Sequence, residues 1–203
     1  QGPQDNIRQR NDAAGGGIMD IGCYCASMAR LIAGAATGKD FADPLIIREG
    51  DSTRVALKGY AHIGEQSRVD EWATAVIQFP GEILANLTCG IQVWVDRELR
   101  IWGSEGHITV PNPWFPSHER FGGEQGNIIR IYRDGETSPR EEIVPGGRPL
   151  YTIEADLVAR HIRDRQAPPP AMTWADSLGN MMTLDTWRKE AGLVFDVETS
   201  SVG

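Results

Sequence analysis

The sequence predicts an α+β domain in which helices cover one face of a mainly antiparallel sheet. An apolar segment near the start has the length of a helix, β-branched and aromatic runs separated by turn residues fill the middle, and two helix-patterned segments close the chain. Strands followed by segregated helices give such a layered arrangement, and the second face of the sheet must then be polar or covered by a partner.

Residues 15–34 read GGGIMDIGCYCASMARLIAG, with apolar and small residues broken only by Asp20, Ser27 and Arg30. Apolar residues on nearly every face predict a buried helix, and Gly34 is placed to stop it. Residues 55–62, 72–79, 83–95, 98–102 and 107–110 form a meander of antiparallel strands punctuated by Pro80-Gly81 and Ser104-Glu105-Gly106. Residues 127–133 continue it and 141–144 close it. A helix over 152–165 carries Ile153, Leu157, Val158 and Ile162 on one stripe, and the prolines beyond it stop it. The last helix, 173–191, opens on Thr173-x-x-Asp176, a capping box with Asp in place of Glu or Gln, and Gly192 stands at its C-cap.

At 203 residues the chain is long enough for one domain with a sizeable core, and 40% hydrophobic against 24% charged residues marks a globular chain. No apolar run near the roughly 20 residues of a membrane span is expected. Twenty Lys+Arg against 28 Asp+Glu give a formal charge of -8, which provides no basic field for nucleic acid. Three cysteines without a partner framework point to a reducing, cytoplasmic compartment. Cys23-x-Cys25 and four scattered histidines, His62, His107, His118 and His161, give no metal-ligand spacing.

Asp20 and Tyr24 are the two groups in the apolar helix that need explaining. Four residues apart, they share a helix face. Either Asp20 caps an amide or pairs with an arginine while Tyr24 packs, or the two form a proton-transfer pair, in which a phenol donates to a nascent alkoxide and a carboxylate orients a substrate hydroxyl. Such a phenol calls for a nearby cation, and none of the three lysines, Lys39, Lys58 and Lys189, is close to it in sequence.

The run Asp5-Asn6-Ile7-Arg8, followed by Gly15-Gly16-Gly17-Ile18-Met19-Asp20-Ile21-Gly22-Cys23-Tyr24, resembles the start of the C-terminal domain in the glucose–fructose oxidoreductase, inositol dehydrogenase and rhizopine-catabolism (Gfo/Idh/MocA) family. The resemblance continues through Phe79-Pro80-Gly81, Gly103-Ser104-Glu105-Gly106-His107-Ile108, Asn112-Pro113-Trp114-Phe115 and Asp176-Ser177-Leu178 to Gly192-Leu193, covering essentially residues 1–203. Tyr24, where inositol dehydrogenases have histidine, is similar to the branch with glucose–fructose oxidoreductase and dimeric dihydrodiol dehydrogenase.

The resemblance implies a fold like the C-terminal domain of glyceraldehyde-3-phosphate dehydrogenase and an NAD- or NADP-dependent oxidoreductase acting on a sugar, polyol or related diol or carbonyl compound. It implies Tyr24 as acid or base, and Asp20 beside both the substrate and the edge of the nicotinamide. Arg8 is implied as a sugar-hydroxyl ligand, or else a solvated loop arginine. Tyr151, just before the 152–165 helix, and Trp114 are implied at the substrate, or else at the rim and as a loop anchor. A homodimer or tetramer through the open sheet face is implied as well. The chain departs from the family's dinucleotide-binding half: it has neither a G-x-G-x-x-G turn nor a Glu-Lys-Pro lysine, so the cofactor would be held mainly by an N-terminal Rossmann domain absent here, and the isolated chain is expected to be inert. Gly15-Gly16-Gly17 follows no predicted strand and is read as a close-packing turn. The rival reading is a non-catalytic sugar-binding or dimerisation module of the same fold. A hydrolase built on Asp20 lacks a second acid at a defined spacing.

Overall fold

The computed structural model describes residues 6–49, 51–116, 127–145 and 148–199. Asp5 and His118 lie outside them. Two 3-10 turns (Ile7–Gln9, Asn11–Ala13) and a π turn (Ile18–Gly22) lead into α1 (Cys23–Ala36). There follow β1 (Ile46–Glu49), β2 (Ser52–Val55), β3 (Leu57–Ile63), β4 (Asp70–Phe79), β5 (Ile83–Gly90), β6 (Leu99–Gly103), β7 (Gly106–Val110), β8 (Asn127–Arg133) and β9 (Arg140–Val144). The helices α2 (Leu150–His161), α3 (Trp174–Glu190) and the short α4 (Asp196–Thr199) close the order. The architecture is α+β, and every strand pair described is antiparallel.

The chain divides into two compact units, Gln1–Val95 with Pro168–Gly203, and Asp96–Ala167. In the first, the sheet β3-β4-β5 carries α1, α3 and the π turn on one face. β4 shows why: Ala73, Ala75, Ile77 and Phe79 are buried while Trp72, Thr74, Val76 and Gln78 alternate outward. Small inward residues let the helices approach, and the core they close contains Ile18, Ala26, Ala33, Leu184 and Trp187. Trp187 is fully buried and its indole Nε1 donates to the Thr74 carbonyl at 3.2 Å. Gly59, paired across the sheet with Ala75, makes room for it: a Cβ there would stand 2.4 Å from Trp187 Cδ1.

The helix boundaries differ from the sequence expectation for identifiable reasons. Gly34 does not stop α1 but lies inside it, because the backbone of Phe41 crosses within 2.4 Å of where a Cβ would be. The Thr37 hydroxyl, donating to the Ala33 carbonyl at 2.8 Å, finishes the helix instead. Nor is α1 buried all round: Ala26, Arg30 and Ala33 face the core while Tyr24 and Leu31 are exposed. Against expectation, Asn11–Ala36 is long and apolar enough by length and composition to cross a bilayer. In this fold it packs on α3 and β5, and Arg30, without exposed surface, is ion-paired to Asp43 and Asp176. At α3 half of the capping box forms. Thr173 Oγ1 accepts from the Asp176 amide at 3.2 Å, but the Asp176 carboxylate turns to Arg30 rather than back to the cap.

The continuous meander resolves into separate sheets. A hairpin β1-β2 precedes β3, and the strand expected over 83–95 ends at Gly90. In the second unit β6, β7, β8 and β9 form a four-stranded sheet in sequence order. α2 begins at Leu150, so Tyr151 lies inside its first turn rather than before it. The apolar stripe of that helix is exposed, at 43% for Ile153, 65% for Val158 and 69% for Ile162.

Candidate functional site

The glycine-rich turn builds one cluster from three parts of the first unit. Gly15 presses against the backbone of Ile7 and Arg8, where a Cβ would meet the Ile7 carbonyl oxygen at 2.5 Å, and the Gly16 amide donates to the Arg8 carbonyl at 2.8 Å. This clamp brings the 3-10 turn that carries Arg8 alongside the π turn that carries Asp20. Arg8 Nε donates to Asp20 Oδ2 at 2.7 Å, with both side chains partly exposed. The structure therefore joins Arg8 and Asp20 directly and places Tyr24, 62% exposed, on the first turn of α1 just beyond them.

A turn of π geometry widens the helix by one residue, a deviation that occurs frequently at functional sites. Here it is fixed from behind. The carboxylate of Asp70, at the start of β4, accepts a hydrogen bond from the Ile18 amide at 2.6 Å, satisfying an orphan donor at the helix N-terminus. Asp70 has no exposed surface, and its Oδ1 has no hydrogen-bond partner among the described residues. Burial drives its pKa up to about 6, against the lowering effect of the Ile18, Asp70 and Gly17 amides. Gly16, at φ +112°, is the residue that makes the approach possible, since a Cβ there would lie 2.0 Å from Asp70 Oδ1. Nothing in the sequence marks Asp70, since an acid opening a strand carries no signal of a helix lying 52 residues upstream.

The same contact decides how a dinucleotide could be met. The N–H groups of a helix N-terminus hold pyrophosphate only when they are free and unopposed by negative charge. At this glycine-rich turn Asp70 already occupies that position. The turn does not fit a phosphate, in agreement with its reading as a close-packing element. Asp20 paired with Arg8, and exposed Tyr24 just beyond them, present a carboxylate, a guanidinium and a phenol at the surface of the first unit.

The other expected residues lie in the second unit. Trp114 Nε1 donates to the Arg97 carbonyl at 3.0 Å, which makes the indole an anchor of its loop. Tyr151 is 71% exposed at the start of α2. Burial holds the thiols of Cys23 and Cys89 above their ordinary range and that of Cys25 up to about 11, so the three stay protonated at neutral pH. Among the described residues no group of three His, Cys, Asp or Glu side chains is arranged to hold a metal.

An α+β domain with helices on one face of an antiparallel sheet, presenting a carboxylate and a phenol from a helix N-terminus, is the class of molecule defined so far. Residues 1–109 match the GFO/IDH/MocA C-terminal domain, and the chain belongs to that family. The trans-1,2-dihydrobenzene-1,2-diol dehydrogenase of Mus musculus is 24% identical over 182 residues, covering 90% of this chain and 48% of the dehydrogenase. The dTDP-3,4-didehydro-2,6-dideoxy-alpha-D-glucose 3-reductase of Saccharopolyspora spinosa is 29% identical over 133 residues, 66% of this chain and 33% of the reductase. Among solved structures, a 3-ketoreductase from Actinomadura kijaniata in complex with NADP and TDP-benzene superposes with a TM-score of 0.71 at 19% identity, over 93% of this chain and 50% of that one. An aldose-aldose oxidoreductase from Caulobacter crescentus complexed with glycerol gives 0.68 at 20% identity, over 95% and 50%. The chain spans about half the length, or less, of the curated relatives it matches.

Proposed function

We propose that this chain is the substrate-binding and catalytic half of an NAD(P)-dependent oxidoreductase acting on a sugar, polyol or related diol or carbonyl compound. The observation that carries the reading is the Arg8–Asp20 pair set one turn ahead of exposed Tyr24 at the mouth of a helix. A nicotinamide, when bound, supplies or takes the hydride. The chain's own part is proton management and orientation. The Tyr24 hydroxyl gives a proton to the oxygen of a carbonyl being reduced, or takes one from a hydroxyl being oxidised. Asp20, its carboxylate steered by Arg8, accepts a hydrogen bond from a neighbouring substrate hydroxyl and fixes the ring, while the remaining donors of Arg8 are available to a second oxygen. The cofactor's phosphates are held by residues beyond this chain. The assignments of Trp114 and Tyr151 to substrate rest on the resemblance alone.

The outward face of β3-β4-β5 supports a homodimer or a higher assembly. Tyr60, Trp72, Val76 and Leu84 stand on it exposed, with His62 stacked on Trp72 at 3.9 Å. The functional test is steady-state turnover of the complete enzyme with NAD+ and NADP+ against aldoses, polyols and trans-dihydrodiols, and with the reduced cofactors against ketoses and keto-sugars. Turnover on one of these classes is the expected result. Sugar binding without turnover on any of them would favour the non-catalytic module.

A further inference from the structure

We infer that Asp70 is a positioning residue for the Asp20–Tyr24 pair, holding the start of the helix from the sheet behind it and so setting where both side chains point. The inference rests on the reading of Tyr24 as the proton-transfer group.

Three observations carry it. The Asp70 carboxylate is the tie from β4 to the first amide of the π turn, at 2.6 Å, and Asp20 lies two residues along that turn. The tie is enclosed rather than incidental. Gly16 and Gly17 wall it so closely that a Cβ on either would meet a carboxylate oxygen, at 2.0 Å and 3.2 Å respectively, and the side chain is fully buried. Finally, one carboxylate oxygen has no partner among the described residues. A buried polar atom left unsatisfied is costly, and a fold that only needed to fill this space would do better with an apolar side chain. What the carboxylate adds is a directed, charge-assisted hydrogen bond along the helix axis, which fixes the helix against sliding or turning on the sheet. Proton transfer needs hydrogen-bond reach, so a small rotation at Ile18 displaces Asp20 and the Tyr24 hydroxyl together.

The test uses the complete enzyme and its own cofactor and substrate. Asp70→Asn removes the charge that strengthens the tie to the Ile18 amide and leaves at most a weaker neutral hydrogen bond, while Gly16→Ala pushes the carboxylate away from the other side. Each is expected to lower kcat roughly 10- to 100-fold, as a misplacement of about 1 Å does, with KM changed only a few-fold. The double variant Asp70→Asn/Tyr24→Phe is expected to lose clearly less than the product of the two single losses, because the share of the Asp70 effect that acts through the Tyr24 hydroxyl has nothing left to position. Unchanged kcat in folded Asp70→Asn, or losses that multiply in full with those of Tyr24→Phe, would overturn the inference. If Asp70→Asn does not accumulate folded, Gly16→Ala alone and combined with Tyr24→Phe is judged by the same two criteria. A Tyr24→Phe enzyme with wild-type turnover removes the proton-transfer reading itself. A slow Tyr24→Phe beside a normal Asp70→Asn removes only the role of Asp70.

Discussion

Asp70 makes the stability of the fold depend on pH, with a sign and size that follow from its burial. Its folded-state pKa is driven up to about 6, whereas the carboxyl ordinarily ionises near 3.8. Between those values the folded protein keeps a proton that the unfolded chain has released, so stability falls as pH rises. The contribution is fully present below the lower value and is lost as pH passes through the upper one. At about 1.4 kcal/mol per pKa unit, the loss across this window is about 3 kcal/mol. Asp70→Asn has no group to titrate there and retains an acceptor for Ile18. Urea unfolding of both proteins between about pH 4 and 7 is therefore expected to show the wild type losing about 2 kcal/mol, most of that difference, relative to the variant. Glu198, lowered to about 2 by Arg188 and the Phe195 amide, works the other way. Its contribution is present above its ordinary 4.5 and disappears as pH falls towards 2, beneath most of this window, and both proteins share it. A difference between wild type and Asp70→Asn that is flat across the window, or that shifts in favour of the wild type as pH rises, would refute the reasoning.

The remaining predictions concern the core, the cofactor and the open face. Gly59→Ala drives a Cβ to 2.4 Å from the fully buried Trp187 ring and is expected to cost about 1–3 kcal/mol in urea unfolding; a neutral substitution would show that Trp187 has room to move. The chain by itself is expected to show no sub-micromolar binding of NADPH by calorimetry, since Asp70 occupies its glycine-rich helix N-terminus; tight binding would place the phosphate site within these residues. The proposed interface on the outward face of β4 predicts a wild type that self-associates at tens of micromolar by light scattering and a double variant, Trp72→Glu/Val76→Glu, that is monomeric; a monomeric wild type, or an unchanged mass in the double variant, would rule this face out as the interface.

Much of this was legible where the signal is local. The alternation of β4, the Thr173 cap and the C-terminal Gly192, at φ +74°, read directly from the chain because strand pleat and helix caps are short-range. Gly15-Gly16-Gly17 could be identified as a packing turn but not what it packs against, because Asp70 lies far along the sequence. None of the three lysines is close to Tyr24 in sequence, while the fold brings Arg8 to Asp20 across the glycine turn. Val93, Trp94 and Val95 have strand propensity, yet β5 ends at Gly90, where a Cβ would meet Val93 Cγ2 at 2.5 Å as the chain turns back. Propensity carries no knowledge of such a turn. The apolar composition of α1 concealed which face would meet the core, since Ala26 and Ala33 are buried as well as Arg30, whose partners Asp43 and Asp176 come from distant segments.

The central claim is that Tyr24 moves the proton in a hydride-transfer reaction on a hydroxyl or carbonyl compound. Measuring kcat and KM of Tyr24→Phe against wild type in the complete enzyme, across pH, tests it most directly. The variant keeps the ring and loses only the hydroxyl, so kcat is expected to fall roughly 10²- to 10⁴-fold with KM little changed, and the loss should persist at every pH measured. Near-normal turnover of the phenylalanine variant across pH would make Tyr24 a packing residue and contradict the catalytic assignment, leaving the fold untouched.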